Sequence, residues 1–365
     1  MRSSDQSTQE EDTDRPGPYD PDPVADGELW FLPAPDAAEA PSEAATAPAR
    51  PLVDVAAWRA AQAGLSAPLA DLAALFGALD ERLRSGPPGW RQRLALMEVV
   101  DLGWWTGDRL PMDQLALWVG LRVGAVGDEG QALIRAGWAA RRLMEGPAPD
   151  QGDAATGLSA GLAAFLGRAG QGEAVPDAIA DLADLLAAAS DLHPVTQAAI
   201  LFHGWRMLGQ ASDDPALLGR EATVNVEAAV LAARRGAKTG RGAALFLPLA
   251  LTGPGALRAS GSAAKRLEAW IAGAAQATLA ALLHLDRLRA WEACARSATQ
   301  DLSGRTPPSL IAALAAWPMM SAALAEQLTG ASRAAVQRNL DQLAGRGLIR
   351  EVTGQGRFRV WAAKV

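Results

Sequence analysis

Cysteine and histidine are scarce in this sequence of 365 residues, and each scarcity excludes a class of site. Cys294 is the single cysteine, so no intrachain disulfide can form and nothing indicates an oxidising compartment. Because Cys294 lies in the helical stretch WEACAR, we expect a buried structural thiol. The three histidines, His193, His203 and His284, form no HExxH pattern and no Cys/His cluster, so we predict no metal site.

Long apolar runs are also lacking. The longest uncharged apolar helical run, 269–285, is rich in alanine and contains Gln276 and Thr278. Such a run is too short and too weakly apolar for a membrane span. The first twelve residues are acidic and hold no apolar core of the kind found in secretory signals. We therefore expect a cytoplasmic protein that does not associate with membranes.

Sequence patterns of enzymes are missing too. GxSxG is absent, and the basic, glycine-containing segment 234–242 does not match GxxxxGK[ST]. We interpret that segment as a flexible, solvated loop, with contact to DNA phosphates as the alternative. Acidic pairs such as Asp80-Glu81 and Asp128-Glu129 lie at predicted helix ends, where they offset helix dipoles or stay solvated. The sequence therefore predicts no catalytic residue, no cofactor and no enzymatic activity.

What the chain does contain is organised in three parts. Prolines and acidic residues dominate 1–50, which predicts a disordered, acidic, Pro-rich tail. From 51 to 304 apolar residues recur at helical spacing, which predicts an all-α domain whose helix 260–301 connects to the next part. The last part, 305–365, is predicted to be a winged helix-turn-helix domain. The expected fold class is therefore all-α, a multi-helix bundle body followed by that C-terminal domain.

The winged-helix prediction begins with the spacing of residues in 319–345. A short apolar stripe is followed by Gly330, where a helix that stops favours a residue tolerant of positive φ. Ser332 is placed to cap a second helix. In that helix Val336, Leu340 and Leu343 fall at positions i, i+4 and i+7, so one face is apolar and is expected to pack inward.

Two predicted strands follow the second helix, over 348–353 and 357–361, around the hairpin signal Gly354-Gln355-Gly356. A helix–turn–helix followed by a basic hairpin has the order of a winged helix, in which the second helix usually binds the DNA major groove. A small helical module that contacts proteins is the alternative interpretation.

Charge is distributed unevenly along the chain, whose net charge is −7. Residues 1–59 carry a net charge of −9 and residues 60–308 a net charge of −2. Residues 309–365 hold seven basic and three acidic side chains, a net charge of +4. The segment with the predicted recognition helix is thus the one with a basic balance. Because +4 is modest for neutralising DNA phosphates, and because helix 260–301 has a long apolar stripe, we expect a homodimer.

Candidate DNA-binding residues lie on the second helix, 333–344, and on the wing, 348–361. Arg338 could donate to guanine and Gln337 could pair with adenine, and such contacts are each worth roughly 1–3 kcal/mol of discrimination. Small side chains would let the backbone approach the groove, and residues at the helix N-terminus suit phosphates. Arginines on the wing would enter the minor groove or follow the phosphates, with a solvated strand face as the alternative. The full candidate set is Ser332, Arg333, Ala334, Gln337, Arg338, Arg357 and Arg359.

Two family resemblances accompany these residues. Residues 265–361, with RLEAWIAGAAQATLAALLHLDRL and a later helix–turn–helix, resemble the C-terminal end of Fic-type proteins, which implies a helical hairpin followed by a winged helix. HPVTQAAILFHGWRMLG, 193–209, resembles the helix that leads into the Fic active-site loop, but the signature HPFxDGNGR is absent beyond His193-Pro194. With its motifs GELWFLP, GWRQRLALMEVVDL and TGASRAAVQRNL, the chain is also similar to an uncharacterised alphaproteobacterial family of helix-turn-helix DNA-binding domain proteins.

Three functions follow from these patterns. The first is a transcriptional regulator that binds double-stranded DNA, with a helical body that dimerises and takes an effector or a protein partner. The second is a diverged Fic-like nucleotide transferase that has lost its active-site motif. The third is a protein-interaction scaffold. The helix–turn–helix pattern and the local basic charge favour the first.

Overall fold

The computed structural model describes residues 53–121, 128–146, 148–150, 157–168, 177–210, 220–354 and 359–365. The predicted acidic tail, 1–50, lies outside these residues, as does Arg357 of the predicted wing. The described part of the chain is mostly helical, with little strand, which confirms the all-α prediction.

Nine α-helices of the described chain precede residue 237, and their buried positions follow helical spacing. In α2, for example, Leu72, Phe76 and Leu79 are almost fully buried. A short 3₁₀ helix, Ala237–Thr239, follows the ninth. The nine helices are α1 Val55–Gly64, α2 Ser66–Ser85, α3 Gly89–Thr106, α4 Met112–Leu121, α5 Asp128–Met144, α6 Gly157–Leu166, α7 Asp177–Ala188, α8 Pro194–Gln210 and α9 Arg220–Gly236.

The longest helix, α10, spans 36 residues, Ala263–Ala298, within the predicted 260–301. Ser262 caps it by accepting a hydrogen bond from the backbone N–H of Lys265. Its inner face packs against α1, α2 and α8. Cys294 is exposed on this helix, so the predicted buried thiol is wrong. The helical pattern placed Cys294 in a helix, but the side that faces outward is decided by the packing of α10 on its neighbours.

The predicted loop 234–242 is wrong in its first half, because α9 continues to Gly236 and the 3₁₀ helix follows it. Arg234 is buried and donates to the backbone oxygens of Arg142 and Gly146. Arg235 donates to Asp150 at 2.7 Å. These arginines therefore hold the body together, because buried guanidinium groups need acceptors for their N–H groups.

The chain ends with three helices and a small antiparallel sheet. After α11, Thr306–Ala316, come β1, Met320–Ser321, then α12, Ala322–Thr329, and α13, Arg333–Gly345. The strands β2, Ile349–Glu351, and β3, Val360–Ala363, follow. β3 lies between the other two strands, so the sheet order is β1-β3-β2.

Strand pairing brings the beginning of this C-terminal segment, β1, next to its end, β3. Met320 is paired with Trp361, and Ile349 with Ala363. All four β3 residues are buried, so the sheet closes over the hydrophobic side of the helices. α13 packs against α11, α12 and β2. The predicted domain boundary at 304/305 falls between α10 and α11, and it stays a prediction.

Among the described residues, no single helix is long and apolar enough to cross a membrane. The pair α1 and α2, bent by 82°, meets that test by length and composition only.

Candidate nucleic-acid interface

The second helix of the predicted motif, α13, begins and is oriented as the local sequence requires. Gly330 ends α12 with a φ of +65°, in the left-handed region that favours glycine. Ser332 then caps α13 by accepting from the backbone N–H of Ala335. Val336, Leu340 and Leu343 are fully buried. These local predictions are confirmed, and they determine which face of α13 is left to solvent.

The opposite face of α13 is polar and open. Arg333, Ala334 and Arg338 are exposed, as is Ser332 at the cap. Gln337 is half-buried at the edge of this face. Five of the seven candidate residues therefore lie together in the N-terminal half of one helix, where small and cationic side chains could approach the edge of a duplex groove.

Asp341 occupies the next turn of the same face and contacts two candidate residues. The Nε2 group of Gln337 donates to Asp341 Oδ1 at 2.9 Å. Nη2 of Arg359 lies 3.5 Å from the same oxygen. The guanidinium of Arg359 also lies over the ring of Trp361, 5.1 Å from its centroid. Arg359, the residue before β3, is thus directed toward α13. Arg357, the other arginine of the predicted wing, lies outside the described residues.

The carboxylate of Glu351 holds the two residues at 353 and 354, just after β2. Glu351 accepts hydrogen bonds from the backbone N–H groups of Thr353 and Gly354 and from the hydroxyl of Thr353. Hydrogen bonding to the charged form lowers the pKa of Glu351. This carboxylate orders the first residues of the predicted wing.

Polar contacts fasten this C-terminal segment to the body. Trp291 of α10 donates through Nε1 to the carbonyl oxygen of Leu348 at 2.7 Å. Arg346, just after α13, pairs with Asp301 through two contacts of 2.6 Å. The hydrogen bond from Arg346 lowers the pKa of Asp301. Both anchors involve residues that follow α13, Arg346 and Leu348, and not the exposed residues of its N-terminal half.

A third anchor is the buried guanidinium of Arg93 on α3. Its Nη1 group donates to the carbonyl oxygens of Leu314 and Trp317, at 3.0 and 3.3 Å, where α11 ends. Its Nε group donates to Nε2 of His284 at 2.8 Å. Burial, aided by Arg93, lowers the pKa of His284 to about 4, so the ring is neutral and can accept this bond. Arg93 therefore joins α3, α10 and α11.

The sequence did not lead us to these side-chain contacts, for different reasons. The Gln337–Asp341 contact spans one helical turn, and its i, i+4 spacing was a signal for it in the sequence. Arg346 and Asp301 are 45 residues apart, and Trp291 and Leu348 are 57 apart. No local pattern indicates which distant residues will meet in this way.

The histidine that carries the Fic resemblance has a local structural contact. Nδ1 of His193 accepts from the backbone N–H of Val195 at 3.2 Å, at the beginning of α8. The backbone N–H of His193 donates to Gln62 Oε1. Within the described part of the chain, no group of three or more His, Cys, Asp and Glu side chains could hold a metal ion.

No protein-family model matches this chain, and a comparison with curated proteins finds no match either. The two resemblances drawn from the sequence therefore stay predictions.

Proposed function

We propose that this protein binds double-stranded DNA through residues 306–363, acting as a winged helix-turn-helix unit, and that it regulates transcription without being an enzyme. In this proposal α13 enters the major groove, and the segment between β2 and β3 contacts phosphates or the minor groove. The protein would act in the cytoplasm, together with its DNA.

The observation that carries the proposal is the open face of α13. Arg333 and Arg338 are exposed beside the small residue Ala334, on a helix whose apolar side is fully buried. The order of helices and strands, with β3 between β1 and β2 and a hairpin after the exposed helix, supports the same function. The net charge of +4 over 309–365 adds to this support.

We also propose that the protein acts as a homodimer through α10. Leu279 and Leu283 lie one turn apart on its outer face, and each is 49% exposed. Ala272 and Gln276 continue this exposed face at spacings of four and three residues, and the charged residues Asp286 and Arg287 follow Leu283 on it. Two copies would double the number of phosphates neutralised, which a single modestly basic unit needs for useful affinity.

Binding to a duplex pool at several salt concentrations tests the DNA proposal. The wild-type protein should select a preferred sequence, and its affinity should fall steeply with salt because counterions are released. Arg338→Ala should lower discrimination at one base pair by about 1–3 kcal/mol. Arg333→Ala should instead weaken binding to all sequences and reduce the salt slope by about one.

Arg258→Ala is the matched control, because Arg258 is also exposed but precedes α10 in the body. This variant should bind DNA as the wild type does. A wild-type protein without salt-sensitive duplex binding at low ionic strength would refute the proposal.

A further inference from the structure

The carboxylate of Asp341 links two residues of the proposed interface while it still faces solvent. One oxygen accepts from Gln337 on the preceding turn and lies near the guanidinium of Arg359, the residue before β3. The Asp341 side chain nevertheless remains 55% exposed. A group so placed can order its neighbours and also approach a bound molecule.

The contact with Asp341 decides which end of the Gln337 amide faces outward. A carboxylate is an acceptor, so Gln337 must turn its NH₂ group toward Asp341, and its Oε1 atom is left for a ligand. A glutamine with both ends free can pair with N6 and N7 of adenine. Here one of the two amide N–H groups is engaged by Asp341, so Gln337 directs its Oε1 acceptor outward beside the exposed Asp341 carboxylate.

Arg359 makes this acidic group compatible with a DNA-binding surface. A bare carboxylate on the exposed face would repel phosphates, whereas a neighbouring guanidinium offsets part of its charge. Trp361, which is buried, holds that guanidinium in place through its ring. The face of α13 is therefore divided into donors at Arg333 and Arg338 and acceptors at Gln337 and Asp341.

We propose that Asp341 is a positioning residue that determines base specificity. By holding Gln337, it makes α13 select cytosine or adenine, whose N4 or N6 amino group lies in the major groove, next to the guanine that Arg338 contacts and on the same strand. Guanine and thymine offer acceptors at the corresponding edge, so the Oε1 acceptor of Gln337 disfavours them there. This inference rests on the proposed function of α13 as a major-groove helix.

Selection of bound sequences from a randomised duplex pool tests the inference, with the full-length protein and its variants. The wild type should show cytosine or adenine at one position next to the guanine that Arg338 contacts, read on the strand that carries that guanine. Asp341→Ala should reduce that preference roughly fivefold or more, since a good contact is worth about 1–3 kcal/mol. Preferences at the other positions should be unchanged.

Gln337→Ala keeps the inference testable if Asp341→Ala folds poorly. Gln337→Ala should lose the same preference at the same position, and the double variant should lose no more than the larger single loss. Gln342→Ala is the matched control, because Gln342 is exposed on the next position of the helix. It should leave the selected sequence unchanged.

Failure of the inference can be told apart from failure of the proposed function. If the wild type binds a preferred sequence and both Asp341→Ala and Gln337→Ala keep the full preference, the specificity role is refuted and the proposed function stands. If the wild type selects guanine or thymine at that position, the inference is also refuted. If the wild type binds no duplex in a salt-sensitive way, the proposed function itself fails.

Discussion

At the scale of single residues, buried acidic side chains stabilise parts of the chain that lack regular backbone partners. Asp80, which the sequence predicts to be solvated or to offset a helix dipole, is instead buried in α2 and accepts from the backbone N–H groups of Arg241 and Ala244, at 2.9 and 2.7 Å. Oε1 of Glu98 accepts from the N–H groups of Leu249 and Ala250, at 2.7 and 2.8 Å. Both carboxylates thereby order the irregular segment before α10, because buried backbone N–H groups require acceptors.

Glu98 provides a prediction about pH. Burial raises its pKa to about 7 from an ordinary value of 4.5, so the folded protein keeps a proton that the unfolded chain loses between these values. The contribution of Glu98 to the free energy of unfolding is therefore complete below pH 4.5 and is lost as the pH rises to about 7. Glu98→Gln removes this dependence.

Chemical denaturation of the two proteins at a series of pH values measures the effect. Between pH 4.5 and 7 the free energy of unfolding of the wild type should fall relative to that of Glu98→Gln. His284, with its lowered pKa, is present in both proteins and cancels in the difference. A difference that stays constant over this range would contradict the prediction.

At the scale of the element, α12 and α13 are defined by local signals that the sequence shows directly. Ser321 and Ser332 cap the two helices, and Gly330 ends the first. A Cβ atom added at Gly330 would meet nothing within 4 Å. The cost of a side chain there is therefore conformational and not steric.

Gly330→Ala should lower the free energy of unfolding by about 1 kcal/mol, because alanine is strained at positive φ. Gly77→Ala is the matched control: Gly77 lies inside α2, and a Cβ there also meets nothing within 4 Å. That substitution should stabilise the protein by roughly 0.5–1 kcal/mol. Thermal or chemical unfolding of both variants measures the difference, and equal effects of the same sign would refute the explanation.

At the scale of the whole molecule, the proposed recognition helix is fastened to a large helical body. Arg93 connects α3, α10 and the end of α11, while the contacts of Trp291 and Arg346 hold the residues between α13 and β2. Because α10 belongs to this framework, a second copy seated on α10 would fix the spacing of two recognition helices. The symmetry of the bound DNA would then follow from the symmetry of the protein.

The dimer has its own test. A double substitution of Leu279→Ser and Leu283→Ser should weaken self-association at least roughly 100-fold, since burying the exposed half of each leucine contributes about 0.7–1.5 kcal/mol and two copies bring four such leucines. Sedimentation at micromolar concentration should show a dimer for the wild type and a monomer for the variant. Ile134→Ser, at a residue of α5 that is 50% exposed, should leave the dimer intact. A wild-type monomer at that concentration would refute the proposal.

The sequence by itself determined the features that depend on neighbours within a few residues. Helical class, the caps at Ser332 and Gly330, and the buried stripe of α13 all follow from backbone preferences and apolar spacing. Tertiary structure alone decided the exposure of Cys294, the structural role of Arg234 and Arg235, and the meeting of Asp341 with Arg359. The reason is that burial and ion pairing depend on which distant surfaces pack together, and local spacing carries no information about that choice.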